Sequence, residues 1–130
     1  MNPEFTSETF INGSLLLPNR KKSFTTVEWT KHPAFEGVEL KHLLTAKDTD
    51  GQFSYHLVRI APNKSILNHI HETQLETHEV IAGTGFCKND GADIPYQPGV
   101  ISIFQKSIAH EVHADDTGLF LFAKFMPALC

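Results

Sequence analysis

Residues 63–83 read NKSILNHIHETQLETHEVIAG, and the two histidine-bearing pairs inside this stretch, His69 with His71 and Glu76 with His78, decide the reading. In an extended strand, side chains at i and i+2 project to one face, so His69 and His71 point together and Glu76 and His78 do the same one strand later. Two such pairs facing one interior make a polar centre. Imidazole nitrogen and carboxylate oxygen suit iron, manganese, nickel, zinc or copper. His110, beyond the Pro98-Gly99 turn, can complete the set. The predicted site is one divalent transition metal ion held within this group of side chains. The rival reading is a helix over Glu72 to Val80, whose Glu, Gln and Leu favour that state and which would stack His71 and His78 on one face.

Five of the eight histidines lie between residues 69 and 113. An isolated histidine is commonly solvated or hydrogen-bonded, and His32, His42 and His56 are read as such scattered surface residues. The central group differs, because burying a cluster of unpaired polar groups is costly.

Outward from this centre, turn signals recur at Pro18-Asn19, Asp48 to Gly51, Pro62-Asn63, Asn89 to Gly91, Pro98-Gly99 and Asp115 to Gly118. Between them lie stretches rich in β-branched and aromatic residues: 37–46, 53–61, 76–82, 100–104, 109–113 and 119–125. These predict short strands. An all-β chain with this many strands must protect its edges, which predicts a barrel or a sandwich.

The chain has 130 residues, enough for one domain. It divides into an N-terminal arm with strands, 1–35, and a barrel, 36–130. Eleven basic against fifteen acidic residues give a net charge of -4, and the cluster Arg20-Lys21-Lys22 is too short for a phosphate-binding face. Nucleic acid is not an expected partner. Met1 to Phe5 lacks a basic leader region, and Leu15-Leu16-Leu17 stops at Pro18, so no membrane span is expected and the protein is read as cytoplasmic. Cys87 and Cys130 form no framework and are expected as thiols.

His69-Ile-His71, four residues, Glu76, six residues and Gly83 resemble the first motif of the cupin superfamily. Gly99, five residues, Gln105-Lys106-Ser107, two residues and His110 resemble the second, in which His110 takes the position of the last metal ligand. The two motifs span 52 residues, from Asn63 to Ala114. Asn63 stands where the first motif usually opens with glycine, and Gln105, Ser107 and Ala114 replace the usual proline, glycine and asparagine of the second. None of these is a ligand position, and asparagine tolerates the left-handed backbone a turn glycine would supply. The resemblance implies a double-stranded β-helix, or jelly-roll, barrel in which His69, His71, Glu76 and His110 hold the one divalent transition metal ion. It also implies dioxygenases, decarboxylases, isomerases and plain binding proteins as functional relatives, which fold alone does not separate.

Three neutral imidazoles and one carboxylate on a divalent ion leave a charge of about +1 and open positions for an anion. The expected ligand is a small oxygen-bearing molecule such as a carboxylate, enolate or diketone. A dioxygenase-like enzyme leads, with an isomerase or decarboxylase, a non-catalytic ligand-binding protein and a metal-free sugar-modifying protein as alternatives. His78 is the candidate catalytic residue as general base, set against a role as hydrogen-bond partner of a ligand. His113 has the opposite parity to His110 and is expected outside. Cys87 is read as a small buried apolar residue. Glu79 points away from Glu76, which argues against a paired-carboxylate glycosidase, and no HExxH, phosphate loop or GxSxG elbow occurs. Phe120, Phe122 and Phe125 crowd one strand, and with the family's habit of pairing through a sheet they predict a homodimer.

Overall fold

The computed structural model describes residues 10–130, so the reading of Met1 to Phe5 lies outside the described residues. Ten strands follow in order: β1 (Ser14–Leu17), β2 (Arg20–Ser23), β3 (Thr30–Lys31), β4 (Val38–Leu44), β5 (Ser54–Ile60), β6 (Ser65–His69), β7 (Leu75–Asn89), β8 (Ala92–Tyr96), β9 (Ile101–Phe104) and β10 (His110–Met126). A single helical turn, α1 (Ala46–Thr49), bridges β4 and β5, and Thr45 and Asp48 close its start as a capping box. Strands dominate, as the turn spacing predicted, and every pairing is antiparallel.

The barrel is an eight-stranded all-β jelly roll in which β7 and β10 run through both walls. One half of β10 pairs with β5 and with the start of β7, and its other half pairs with β6 and the end of β7. β9 joins the first half of β7, and β8 joins the second. The sequence suggested two strands separated by a turn at Asp115 to Gly118; instead these residues form a register shift inside the continuous β10. Opposite them, Gly83 has a φ of +82°, and a Cβ there would lie 2.0 Å from the Gly118 carbonyl oxygen. Gly118 is itself left-handed at +74°. The two long strands bend across this pair because neither position admits a side chain.

The helical alternative for Glu72 to Val80 does not form. Leu75 onward is strand, and burial alternates, with Glu76, His78 and Val80 inside and Thr77, Glu79 and Ile81 partly exposed. Period-2 burial wins over the helix preference of Glu, Gln and Leu because the inward face supplies packing that propensity does not.

The interior is filled by Val38, Ile60, Phe104, Val112 and Leu121, each at most 2 % exposed, and their buried neighbours. Full burial of one such side chain stabilises by about 1.5–3 kcal/mol. A second apolar layer lies on the outer face, where Phe24, Leu43 and Leu57 pack with Phe10, Leu15, Trp29, Phe120 and Phe122. The aromatic face read as a pairing surface is therefore divided and partly covered by the chain itself. Phe125 turns into the barrel, 4 % exposed, while Phe122 packs on Phe10 at 5.2 Å and Phe120 on Trp29 at 6.0 Å. Lys41 is buried beneath this layer, its Nζ donating to the Phe24 carbonyl at 2.8 Å and lying 5.1 Å from the Trp29 ring. Arg20 and Lys22, two of the three residues of the basic cluster, pair with Asp48 and fasten β2 to α1. β3 belongs to the barrel sheet through its pairing with β4, although it lies in the segment read as an arm. Among the described residues no helix is long and apolar enough to cross a membrane.

Candidate metal centre

Strand register assembles the site. His69 at the end of β6 lies opposite His110 at the start of β10, and Glu76 on β7 lies opposite both Phe125 and Phe104. His71 follows β6 in the connecting loop, where its carbonyl accepts the Ser107 amide at 2.9 Å. One ligand atom from each of His69, His71, Glu76 and His110 falls within 4.8 Å of all the others. Phe104 stacks on His110 with ring centres 4.1 Å apart and walls the centre off on that side.

The tautomers are set by the backbone. Nδ1 of His69 donates to the Leu67 carbonyl at 2.8 Å, and Nδ1 of His110 donates to the Ile108 carbonyl at 3.2 Å. Each ring thereby keeps an unprotonated Nε2 for the interior. Nε2 of His110 approaches Oε1 of Glu76 to 3.0 Å, and Nε2 of His71 approaches it to 3.5 Å. The alignment does not make a hydrogen bond, and Oε1 of Glu76 and Nε2 of His110 are both buried without a partner. Two lone-pair atoms left unpaired in a protein interior cost about 1–3 kcal/mol each, and a shared cation at their meeting point removes that cost. The donor set fits a divalent transition ion.

The other oxygen of Glu76 is occupied. Oε2 accepts from Nε2 of His78 at 2.8 Å, and Nδ1 of His78 meets the Tyr96 hydroxyl at 3.1 Å. Burial alone would raise the Glu76 carboxyl, but attraction to His78 and the close approach of His110 outweigh it and hold the group below the usual carboxylate range. Burial pushes the Tyr96 hydroxyl far above its ordinary value, so it stays protonated and acts as a fixed polar end to the chain Tyr96–His78–Glu76. Cys87, fully buried, is pushed up to about 11, chiefly by burial, which makes it an inert thiol.

A cavity of about 100 Å³ opens beside three of the four candidate ligands, His69, His71 and Glu76, its wall made largely by Val38, Leu40, Val58, Ile66, Phe125 and Leu129. His32 also lines it. Sequence reading treated His32 as an isolated surface residue, because its role arises from the β3–β4 connection, which no spacing rule ties to the motifs. Nδ1 of His32 accepts the amides of Ala34 and Phe35 at 3.0 and 3.3 Å, so the proton of the neutral ring sits on Nε2. His56 is a second departure from the surface reading: it is fully buried, with His42 half-buried against it. His113 is partly exposed on the outer side, stacked on Phe86 at 4.6 Å and bonded to Ser65 and Glu111.

A family model described as the cupin domain matches residues 56–122. The chain is a cupin. No curated protein matches the sequence. Solved cupin folds similar to this one include a predicted oxalate decarboxylase from Thermotoga maritima, at 20% identity and TM-score 0.73 over 79% of this chain and 95% of that one. KdgF from a Halomonas species aligns at 16% identity and TM-score 0.70, covering 79% and 88% of the two chains. Ectoine synthase from P. lautus aligns at 22% identity and TM-score 0.65, covering 72% and 67%. At such identities the likeness is one of fold, and the diversity of the printed activities leaves this cupin's chemistry to its own residues.

Proposed function

We propose that this cupin is a metal-dependent enzyme acting on a small anionic, oxygen-bearing metabolite, with His69, His71, Glu76 and His110 as ligands to one divalent transition ion. The observation that carries the reading is the pair of buried, partnerless atoms, Oε1 of Glu76 and Nε2 of His110, aimed at a common point. When bound, such an ion supplies Lewis-acid polarisation of an oxygen ligand and, if redox-active, one-electron chemistry with dioxygen. The protein's own contribution is positioning and exclusion of water. The largely apolar wall of the cavity suits a ligand held mainly by its oxygen atoms. The Nε2–H of His32 is free to donate to an oxygen of that ligand, which raises affinity for the anion. His78, 3 % exposed and committed to Glu76 and Tyr96, acts in this proposal by orienting the carboxylate so that Oε1 alone faces the ion.

The test is ion titration of chelated protein, followed by oxygen uptake and product analysis over carboxylates and diketones with the iron-loaded form. One tight equivalent that disappears in Glu76→Gln supports the site. Turnover that slows in His32→Ala, mainly through KM, supports the enzyme reading. Tight ion and carboxylate binding with no turnover in any metal form favours the second reading, a ligand-binding cupin, which the full commitment of His78 to its neighbours makes credible. Association into a homodimer stays part of the proposal on the family resemblance, and sedimentation as a 14.6 kDa species removes it.

A further inference from the structure

At the other side of Phe125 lies a second set of metal-binding groups that the cupin motifs do not include. His42 on β4 and His56 on β5 are cross-strand partners. Both belong to the inward parity of their strands, together with Val38 and Val58. Their Nδ1 atoms face each other at 2.8 Å, and one sulfur, Cys130 Sγ, lies within 4.8 Å of ring nitrogens of both. Phe125 separates this group from the first centre, its ring 5.5 Å from His56 and 5.2 Å from His71.

We propose that His42 Nδ1, His56 Nδ1 and Cys130 Sγ form a second, sulfur-containing site for a thiophilic ion, zinc(II) or copper(I), with its fourth position open.

The supporting structure is already in place. Nε2 of His56 is 2.7 Å from the Ser54 hydroxyl, whose oxygen can accept the Nε2–H and leave Nδ1 free for an ion. The same hydroxyl oxygen accepts the Leu129 amide at 2.8 Å, so one side chain both orients the imidazole and tethers the segment that bears the thiol. That segment is held at three further points: the Ala128 amide to the Gly51 carbonyl at 3.1 Å, the Gln74 side chain to the Ala128 carbonyl at 3.0 Å, and the Ala46 amide to the Cys130 carbonyl at 2.6 Å. The backbone that carries Cys130 is therefore held in place beside the two rings.

The donor set differs from the first centre in kind. Three imidazoles and a carboxylate accept many divalent ions, whereas one thiolate and two imidazoles select softer ones. The charge agrees: two neutral rings and a thiolate leave zinc(II) at +1 and copper(I) at zero, the lower charge being cheaper beside a buried ring. Binding proceeds with simple bookkeeping of protons. The thiol loses its proton to solvent, and the ring that donates between the two Nδ1 atoms moves its proton to its own Nε2. Nitrogens 2.8 Å apart must separate by roughly half an ångström to share a tetrahedral ion at metal–nitrogen distances of about 2.0–2.1 Å.

Cobalt(II) titration of chelated protein under a non-thiol reductant tests the proposal directly, because only the second site contains sulfur. The expected result is two equivalents per chain, one of them accompanied by a thiolate-to-cobalt charge-transfer band that zinc abolishes. Cys130→Ser, at an exposed position, removes the band and one equivalent while circular dichroism stays unchanged. Ser54→Ala weakens that equivalent by roughly 10- to 100-fold. Glu76→Gln removes the other equivalent and keeps the band, so failure of the first centre and failure of the second are read separately. A single equivalent with no charge-transfer band, or a band that survives Cys130→Ser, overturns the proposal.

Discussion

The two histidine clusters of this barrel differ in what their nitrogens do when no ion is present. In the first, backbone carbonyls take the Nδ1 protons of His69 and His110, and the remaining acceptors converge on Glu76 with no hydrogen available between them. In the second, His42 and His56 bond to each other, and Ser54 holds the far side of the His56 ring. One cluster is frustrated without a cation, and the other is self-satisfied. The comparison separates affinity from stability: substitutions in the first should change ion binding far more than folding, whereas truncating the paired histidines of the second should cost folding as well.

The sharpest break of this comparison is His71→Ala set beside His56→Ala. His71 is half-buried, so its loss should leave the chelated barrel within about 1 kcal/mol of the parent, yet weaken the first ion by more than the roughly 10- to 100-fold that losing a ligand's supporting partner costs. His56 is fully buried and bonded at both nitrogens. Its truncation should cost about 3 kcal/mol of unfolding free energy through the cavity and the orphaned partners, with the first ion still bound. Urea unfolding and ion titration of both variants measure the two columns. Unfolding of the parent on chelation alone would contradict the assignment of stability to the barrel core.

Acid sharpens the same contrast. Burial, reinforced by the neighbouring His42 and opposed by Glu76, pushes His56 down to about 4 in the folded chain, against 6.5 when unfolded. Below pH 6.5 the unfolded state takes up a proton that the folded state refuses, so the folded state loses ground at about 1.4 kcal/mol per pH unit until the folded group also protonates near 4. The stability is complete above the unfolded value and reduced by about 3 kcal/mol at the lower end. Urea midpoints of chelated protein between pH 7 and 4, compared with His56→Leu, isolate this contribution. An equal fall of the midpoint with pH in both proteins would remove His56 as its source.

A smaller effect is expected from the support of Glu76. Tyr96→Phe removes the hydroxyl 3.1 Å from Nδ1 of His78 without changing the ring. The buried imidazole loses one partner, worth about 1 kcal/mol, and Glu76 loses part of what fixes its Oε2. First-site ion affinity should fall by about 10-fold, with the second set of nitrogens unaffected. Calorimetric titration resolves that difference, and an unchanged affinity would show that His78 alone suffices to orient the carboxylate.

What the sequence made legible follows from period and spacing. His69 and His71, and Glu76 and His78, are close in the chain, so strand parity alone placed Glu76 and His78 inward together, as burial of both shows. His110 lies far along the chain, where parity could only allow it, and the second motif supplied its ligand position. His32, His42 and His56 were not legible, because their placement depends on the register of β4 against β5 and on how the β3–β4 connection folds over the cavity. The strand count failed at 115–118 for a related reason: acidic residues and glycine signal a turn locally, and only the pairing of Gly118 with the Gly83 region converts it into a bend within one strand.

The two motif departures offer the finest comparison. Asn63 and Ser107 both stand where the cupin pattern favours glycine, and both adopt left-handed backbone, at φ of 61° and 64°. Asparagine visits that region readily, whereas serine bears more of the roughly 1–2 kcal/mol that a Cβ costs there. Ser107 is retained in the turn by its amide bond to the His71 carbonyl at 2.9 Å, a contact that glycine keeps, and by a long hydroxyl contact to the Glu72 carbonyl at 3.3 Å, which glycine loses. Relief of strain, less the entropy that glycine forfeits on folding, leaves Ser107→Gly more stable by about 0.5 kcal/mol, while Asn63→Gly should be neutral within error. Thermal unfolding of the two variants side by side reads the difference. Because the turn carries the carbonyl of His71 on its amide, an accompanying change in first-site affinity would show that the loop's shape, and not only its strain, reaches the metal centre.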